Sequence, residues 1–358
     1  MTDDQTTDSG SGSLAPGGSS KTWWFAAAIG GAALIIAVFV AMRSSPAGPA
    51  TTAPEATGAQ ASEPAQARSP SAPAEVLDRL LTSAQEREAA GERSRAVAIL
   101  RDGVRTYPGD RELRLAFAEL LARDGNPEGA YEQLSSAIEL GVTDAETQLA
   151  AGVMAAQAGR DDLAIEHLFA ARTAEPENAE VALRLGIAQL RQGQLDEAQA
   201  SLVLAGTIEP DRALVWGTLA EVALRANQPS LSAQHAKRAR ELDPDRLAWR
   251  LIGARALKRD TRPEEALDLL VGLPNEDRFR PEVIRLIGEC LGMLGRPGEA
   301  AALYAEASER DPASVELARE AAIWIDRVGD PEGARIFAER AAAMGDEVAQ
   351  DMLERLGG

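Results

Sequence analysis

AEVALRLGIAQLRQGQLDEAQASLVLAGTIEPDR, residues 179–212, is one copy of a 34-residue unit that recurs eight times between Leu77 and Val348 without insertion or deletion. The copies begin at Leu77, Arg111, Ala145, Ala179, Ala213, Leu247, Pro281 and Val315. Their eighth position is always Ala or Gly: Ala84, Ala118, Gly152, Gly186, Ala220, Ala254, Gly288, Ala322. The twentieth reads Ala96, Ala130, Ala164, Ala198, Ser232, Ala266, Ala300, Ala334, and the fifteenth Gly91, Gly125, Gly159, Gly193, Asn227, Thr261, Gly295, Gly329. A fixed period of this length means a solenoid, in which each unit hides its apolar face only by stacking on its neighbours.

The recurring residues say what each unit is. Small side chains at positions eight and twenty let two helix backbones approach closely. Glycine at fifteen suits the left-handed residue that ends a first helix. Two residues later come Pro127, Pro229, Pro263, Pro297 and Pro331, each suited to the first turn of a second helix, where the missing N–H costs nothing. Asp110, Asp144, Asn178 and Ser314 close their copies and are placed to N-cap the next first helix.

The pattern resembles the tetratricopeptide repeat, whose signature is W-x2-L-G-x2-Y, then A-x3-F, then a late proline. Copy four carries it best, in Leu185-Gly186, Gly193, Ala198, Leu202, Ala205 and Pro210, and copy five supplies Trp216 with Leu219-Ala220. The late proline recurs as Pro108, Pro176, Pro210, Pro244 and Pro312 and is missing from copies two, six and eight. The resemblance implies an all-α protein: a right-handed α-α superhelix of eight helix-turn-helix repeats over residues 75–358. A capping helix over 347–356 would seat Val348, Met352, Leu353 and Leu356. Copy six departs from the pattern, because Leu273-Pro274 cuts its second helix short and Asn275–Arg280 replaces the turn.

In the family it resembles, first helices line a concave groove that binds other proteins or peptides through positions two, five, nine, twelve and thirteen. Carried onto this chain, those positions give an apolar strip of Leu149, Val153, Ala156, Leu183, Ile187 and Leu190. They also give arginines in register at position thirteen (Arg123, Arg191, Arg225, Arg259, Arg327), joined by Arg184, Arg255 and Lys258. The strip would suit a hydrophobic or amphipathic peptide, and the arginines a carboxylate. Each has an ordinary alternative: the leucines pack on the next repeat, and the arginines complement a helix dipole. The family's carboxylate-clamp variant needs Lys and Asn where this chain has Leu81 and Gln85.

Upstream of the repeats the chain changes character. Residues 1–20 are polar, Thr22–Met42 is a run of 21 uncharged residues between Lys21 and Arg43, and residues 44–74 are rich in Ala, Pro, Ser, Thr and Gly. The run is long enough to cross a bilayer core of about 30 Å as a helix, with Trp23 and Trp24 at its rim. It reads as an uncleaved anchor spanning 21–43, followed by an extended tether. One cation on each side leaves orientation open. The tail–anchor–tether layout resembles bacterial inner-membrane proteins with their repeats outside the cytoplasm.

Charge and chemistry narrow the function. Residues 1–76 hold three basic and six acidic residues, which leaves −16 of the −19 net charge to the repeats. Such a surface repels nucleic acid. The sequence contains no phosphate loop, dinucleotide-binding glycine pattern or H-E-x-x-H motif. His167 and His235 fall two periods apart, too far to share a metal ion, and the single cysteine, Cys290, sits among core residues. The expectation is therefore a non-enzymatic, cofactor-free scaffold for other proteins at a lipid bilayer, in envelope assembly, secretion or cytochrome c maturation. The alternative is a chaperone-like receptor for hydrophobic or unfolded segments.

Overall fold

The computed structural model describes residues 70–357, which form eighteen α-helices and no strand. The expected tail at 1–20, anchor at 21–43 and most of the tether lie outside the described residues. The described helices belong to two compact units, one ending at Val142 and the other beginning at Thr143.

The first unit contains α1 (Ala74–Ala89), α2 (Arg93–Thr106), α3 (Arg111–Arg123) and α4 (Pro127–Glu139). Its core gathers Leu81, Leu100, Leu113, Phe117, Leu120 and Leu134 around Ala84, Ala96, Ala118 and Ala130. The tether was expected to run unstructured to residue 74, but its last residues are held. Gly109 N donates to Pro70 O at 3.1 Å, and Ala72 N donates to Asp110 Oδ2 at 3.0 Å. The other Asp110 oxygen accepts from Leu113 N at 2.9 Å. One carboxylate has lone pairs enough to cap α3 and fix the entry to α1 together.

The second unit continues with α5 (Ala145–Gln157), α6 (Asp161–Ala174), α7 (Ala179–Arg191), α8 (Leu195–Ile208), α9 (Ala213–Arg225) and α10 (Pro229–Leu242). Then come α11 (Leu247–Arg259), α12 (Pro263–Val271), α13 (Asn275–Arg278), α14 (Pro281–Met293), α15 (Pro297–Arg310), α16 (Val315–Arg327), α17 (Pro331–Ala343) and α18 (Glu347–Gly357). First helices pack on the second helix of their own copy and on that of the copy before, and also touch the first helices of adjacent copies.

The small residues set this spacing. Position twenty has no solvent exposure in any of the eight copies. Where it is Ser232, the hydroxyl donates to the carbonyl of Ala220, the position-eight residue it packs on, at 2.7 Å. A Cβ added to Gly152 would stand 2.5 Å from Leu168 Cγ, and one on Gly186 2.6 Å from Leu202 Cγ. At Gly288 it would meet the ring of Tyr304 at 2.5 Å. The second helix thus drives a large side chain against the backbone of the first, and burying each such side chain is worth about 1.5–3 kcal/mol.

Asp110, Asp144, Asn178 and Ser314 do cap their helices, each accepting from the backbone N–H three residues on. The fifteenth position is left-handed in all eight copies, at φ 57° for Asn227 and 59° for Thr261. The two copies without glycine make the same turn, so stacking imposes a conformation that β-branched threonine resists.

Copy six closes its gap with an aromatic. α12 stops at Val271, Pro274 leads into the single turn of α13, and Phe279 packs into the core beneath it. The Arg310 guanidinium lies 4.0 Å above the Phe279 ring. At the far end α18 buries Ala349 and Met352, with Leu353 and Leu356 partly covered. Val348, expected on the packed face, is 52% exposed. Asp346 explains the shift: one oxygen caps Ala349 N at 2.8 Å and the other pairs with Arg319 at 2.9 Å, which sets the rotation of α18.

Two outcomes are expected in thermal unfolding followed by circular dichroism. Thr261→Gly relieves the left-handed strain and raises stability by about 1 kcal/mol. Ala198→Leu overfills a site with no clearance and lowers it by about 1–3 kcal/mol.

Candidate functional site

The residues expected to face a partner lie on α5, α7, α9 and α11, and the structure divides them. Leu183 has no exposure; it packs among Ala198, Leu202, Val215, Leu219 and Val222. Leu149, Val153 and Leu190 are 8%, 7% and 6% exposed, and Ile187 is partly buried against the Leu183 cluster. Position five therefore looks into the neighbouring first helix: α7 touches α5 on one side and α9 on the other. The apolar strip is a packing seam and not an open surface, because adjacent first helices lie close enough to close over it.

The arginines keep their register and have structural partners. Arg191 Nη1 donates to Ala156 O at 2.9 Å, Arg225 Nη1 to Leu190 O at 3.2 Å, and Arg259 Nη1 to Leu224 O at 3.0 Å. In each case position thirteen of one copy reaches position twelve of the copy before. That carbonyl lies in the last turn of a first helix, where no intrahelical donor is available. It also accepts from its own copy's fifteenth residue: Gly159 N at 3.2 Å, Gly193 N at 3.1 Å and Asn227 N at 3.3 Å. The arginines complement a helix C-terminus as expected, but that of the preceding repeat rather than their own.

Carboxylates occupy much of the remaining guanidinium surface. Arg191 pairs with Asp161 at 3.1 Å, Arg225 with Glu221 at 2.9 Å, and, in the first unit, Arg123 with Glu88 at 3.1 Å. Arg184 and Arg212 grip the two oxygens of Glu180 at 2.5 Å each. Burial pushes the Glu180 carboxyl up, but the two guanidinia outweigh it and hold it below the usual range. Arg327 lies 4.5 Å over the Trp324 ring. Lys258 of α11 pairs with Glu289 of α14. Arg255 stands apart, with no hydrogen bond or ion pair among the described residues.

Two framework features escaped the sequence pattern. Gly217 takes position five in copy five, where copies three and four have leucine, and the Trp249 ring lies directly on it. Gly292 leaves space in the same way for Trp324, which stacks on Tyr304 at 6.5 Å between centroids. An apolar periodicity interrupted by glycine, with a tryptophan about one repeat later, is the signal that could have revealed both.

No set of His, Cys, Asp and Glu among the described residues is arranged to hold a metal ion. His167 Nδ1 lies 2.9 Å from Gln148 Oε1, His235 rests against Trp216, and burial lowers the pKa of both rings. Cys290 is fully buried, and burial raises its thiol to about 11, which keeps it protonated.

A tetratricopeptide-repeat family model matches residues 155–222. No curated protein sequence matches the chain. Among solved structures, a tetratricopeptide repeat protein from Parabacteroides merdae is 14% identical with a TM-score of 0.50, over 69% of this chain and 99% of that one. YrrB, a TPR protein with an unusual peptide-binding site, is 15% identical with a TM-score of 0.44, over 48% of this chain and 88% of its own. PilF of Pseudomonas aeruginosa is 21% identical with a TM-score of 0.45, over 58% and 94%. These identities speak for the fold alone. The family match is confined to copies three to five, and the structural likeness carries the helical-repeat fold, and the fold alone, across the other described repeats.

Leu183→Glu is expected to abolish the cooperative unfolding transition, since it places a charge in a site without solvent. It therefore reports on folding, not on binding. Arg259→Ala is expected to lower stability by about 1 kcal/mol, read from denaturant midpoints, by removing one of the two donors to the Leu224 carbonyl at the end of α9.

Proposed function

We propose that this protein is a membrane-anchored scaffold that recruits or positions other proteins through the first-helix face of its repeats. The observation that carries the reading is a division of labour within the repeat. Positions eight and twenty are small and buried in every copy, whereas position nine changes chemistry from copy to copy. In the second unit it holds Val153, Ile187, Glu221, Arg255, Glu289 and Ile323. A constant frame with a varied face is what selective binding of a polypeptide needs, and nothing in the frame calls for chemistry. Proteins of this repeat family generally bind proteins or peptides.

The anchor rests on residues 22–42 as a sequence: no helix of the described residues is long and apolar enough to cross a membrane. A bacterial inner-membrane location with the repeats on the extracytoplasmic side, serving envelope assembly, secretion or cytochrome c maturation, follows from the tail–anchor–tether order. The rival role, reception of hydrophobic segments, needs open apolar surface. Burial of Leu149, Val153, Leu183 and Leu190 removes the surface it would have used.

Photo-crosslinking side chains at the exposed positions Gln157 and Met293, which end first helices, are expected to trap one discrete partner in cells. The same group at Ile336, exposed on a second helix, is expected to trap none. Adducts from Ile336 alone would reject the first-helix face. Phosphatase and fluorescent reporters at the C-terminus test the topology; a bright reporter with inactive phosphatase places the repeats in the cytoplasm and overturns that assignment.

A further inference from the structure

We propose that the solvent-facing sides of α6, α8 and α10 form a docking surface for a second copy of this chain. The surface belongs to second helices, so the proposal does not rest on the first-helix face discussed above.

Its starting point is a place where charge is missing. Positions twenty-five, twenty-six and twenty-nine lie on the solvent side of the second helices. In copies five, seven and eight they include Lys237, Arg238 and Glu241, then Glu306 and Glu309, then Glu339 and Arg340. In copies three and four they are Phe169, Ala170 and Thr173, then Val203, Leu204 and Thr207. Phe169 is 53% exposed and Val203 49%, and of the six only Leu204 is partly covered. The threonines add little polarity, because each hydroxyl is already bonded within its own helix. Thr173 Oγ1 donates to Phe169 O at 2.9 Å, and Thr207 Oγ1 to Val203 O at 2.8 Å. In a chain of net charge −19, two consecutive second helices thus present apolar, uncharged surface in register. Such a patch marks an interaction site.

The charges beside the patch say what can cover it. α6 carries Asp161, Asp162 and Glu166 against Arg172, a net −2, and α10 carries Lys237, Arg238 and Arg240 against Glu241, a net +2. Between them, α8 has no charge beyond Asp196 and Glu197 in its first turn. From one second helix to the next the order is acidic, apolar, basic, and a surface so arranged is complementary to itself. A two-fold axis running along α8 sets Val203 on Val203 of the second copy and brings α6 of each copy over α10 of the other. Glu166 and Lys237 are exposed and make no ion pair among the described residues. Across the axis they face each other twice. The other two-fold arrangement, with α6 on α6 and α10 on α10, opposes like charges. Asp196 and Glu197 stand seven and six residues before Val203. That is about 10 Å along the helix, near one Debye length at 0.1 M salt, so their repulsion across the axis is weakened. An anionic lipid surface would lose on α6 what it gains on α10, whereas a second copy gains on both. Three helices make an interface at the small end of the range, so the dimer is weak and is best captured covalently.

The test uses the full chain carrying Val203→Cys and a short bismaleimide crosslinker. The native thiol of Cys290 is buried and out of the reagent's reach. A residue on a two-fold axis lies beside itself. V203C is therefore expected to give a covalent dimer whose yield rises with protein concentration, and I336C, exposed on copy eight, to give none. Adding Glu166→Lys or Lys237→Glu to V203C turns two attractions into two repulsions and is expected to slow crosslinking about fivefold. An equimolar mixture of these two variants is expected to recover most of the V203C rate, because opposite charges face each other at both places in the mixed dimer. Misfolding of either variant could not produce that recovery. No dimer from V203C, an equal yield from I336C, single variants that crosslink as fast as V203C, or a mixture no faster than its components would each overturn the proposal. A chain that stays monomeric while V203C is captured by a different protein in cells would assign the surface to that protein, and would overturn it as well.

Discussion

The structure depends on a contact with no clearance, between the eighth position of each repeat, on its first helix, and the twentieth, on its second. All eight residues at position twenty are shut off from solvent, and the glycines at position eight admit a leucine or tyrosine edge that a single methyl would displace. Interiors pack at crystal-like density, so this contact tolerates neither more nor less volume. It fixes how closely the paired helices lie, and that spacing determines what else can reach solvent.

One consequence is the fate of the apolar first-helix residues. Because neighbouring first helices touch, Leu183 and its counterparts are consumed in joining one copy to the next. A second is the arginine series. Stacking brings the exposed end of each first helix within reach of position thirteen in the following copy, and an arginine there gives the position-twelve carbonyl a second donor beside the N–H of its own copy's fifteenth residue. The same residue thus acts as a polar latch between repeats. Its charge is largely spent on the frame.

Function, on this reading, resides in the positions that the frame leaves free. Several polar groups of the interior are satisfied locally: Ser201 by Gln189, Ser232 by a backbone carbonyl, His167 by Gln148. The buried thiol is protonated and enclosed. What remains on the first helices is a varied set of charges suited to recognition, and recognition by charge sets specificity and encounter rate more than raw affinity.

The sequence by itself determined the helical hairpin, its period, its caps and its turns. These are local properties: a proline at N1, an aspartate before a first turn and a glycine at position fifteen each act within a few residues, and eight copies in phase repeat the signal. For the arginines it left two roles open, carboxylate recognition and service to a helix terminus. Which terminus they serve was decided only by stacking, since Ala156 and Arg191 are 35 residues apart and meet only because one repeat lies on the next. The burial of Leu183, the seat of Trp249 on Gly217 and the pairing of Lys258 with Glu289 belong to the same class. Periodicity tells which side of a helix is apolar, but exposure is a property of what lies opposite, and only the assembled array supplies that.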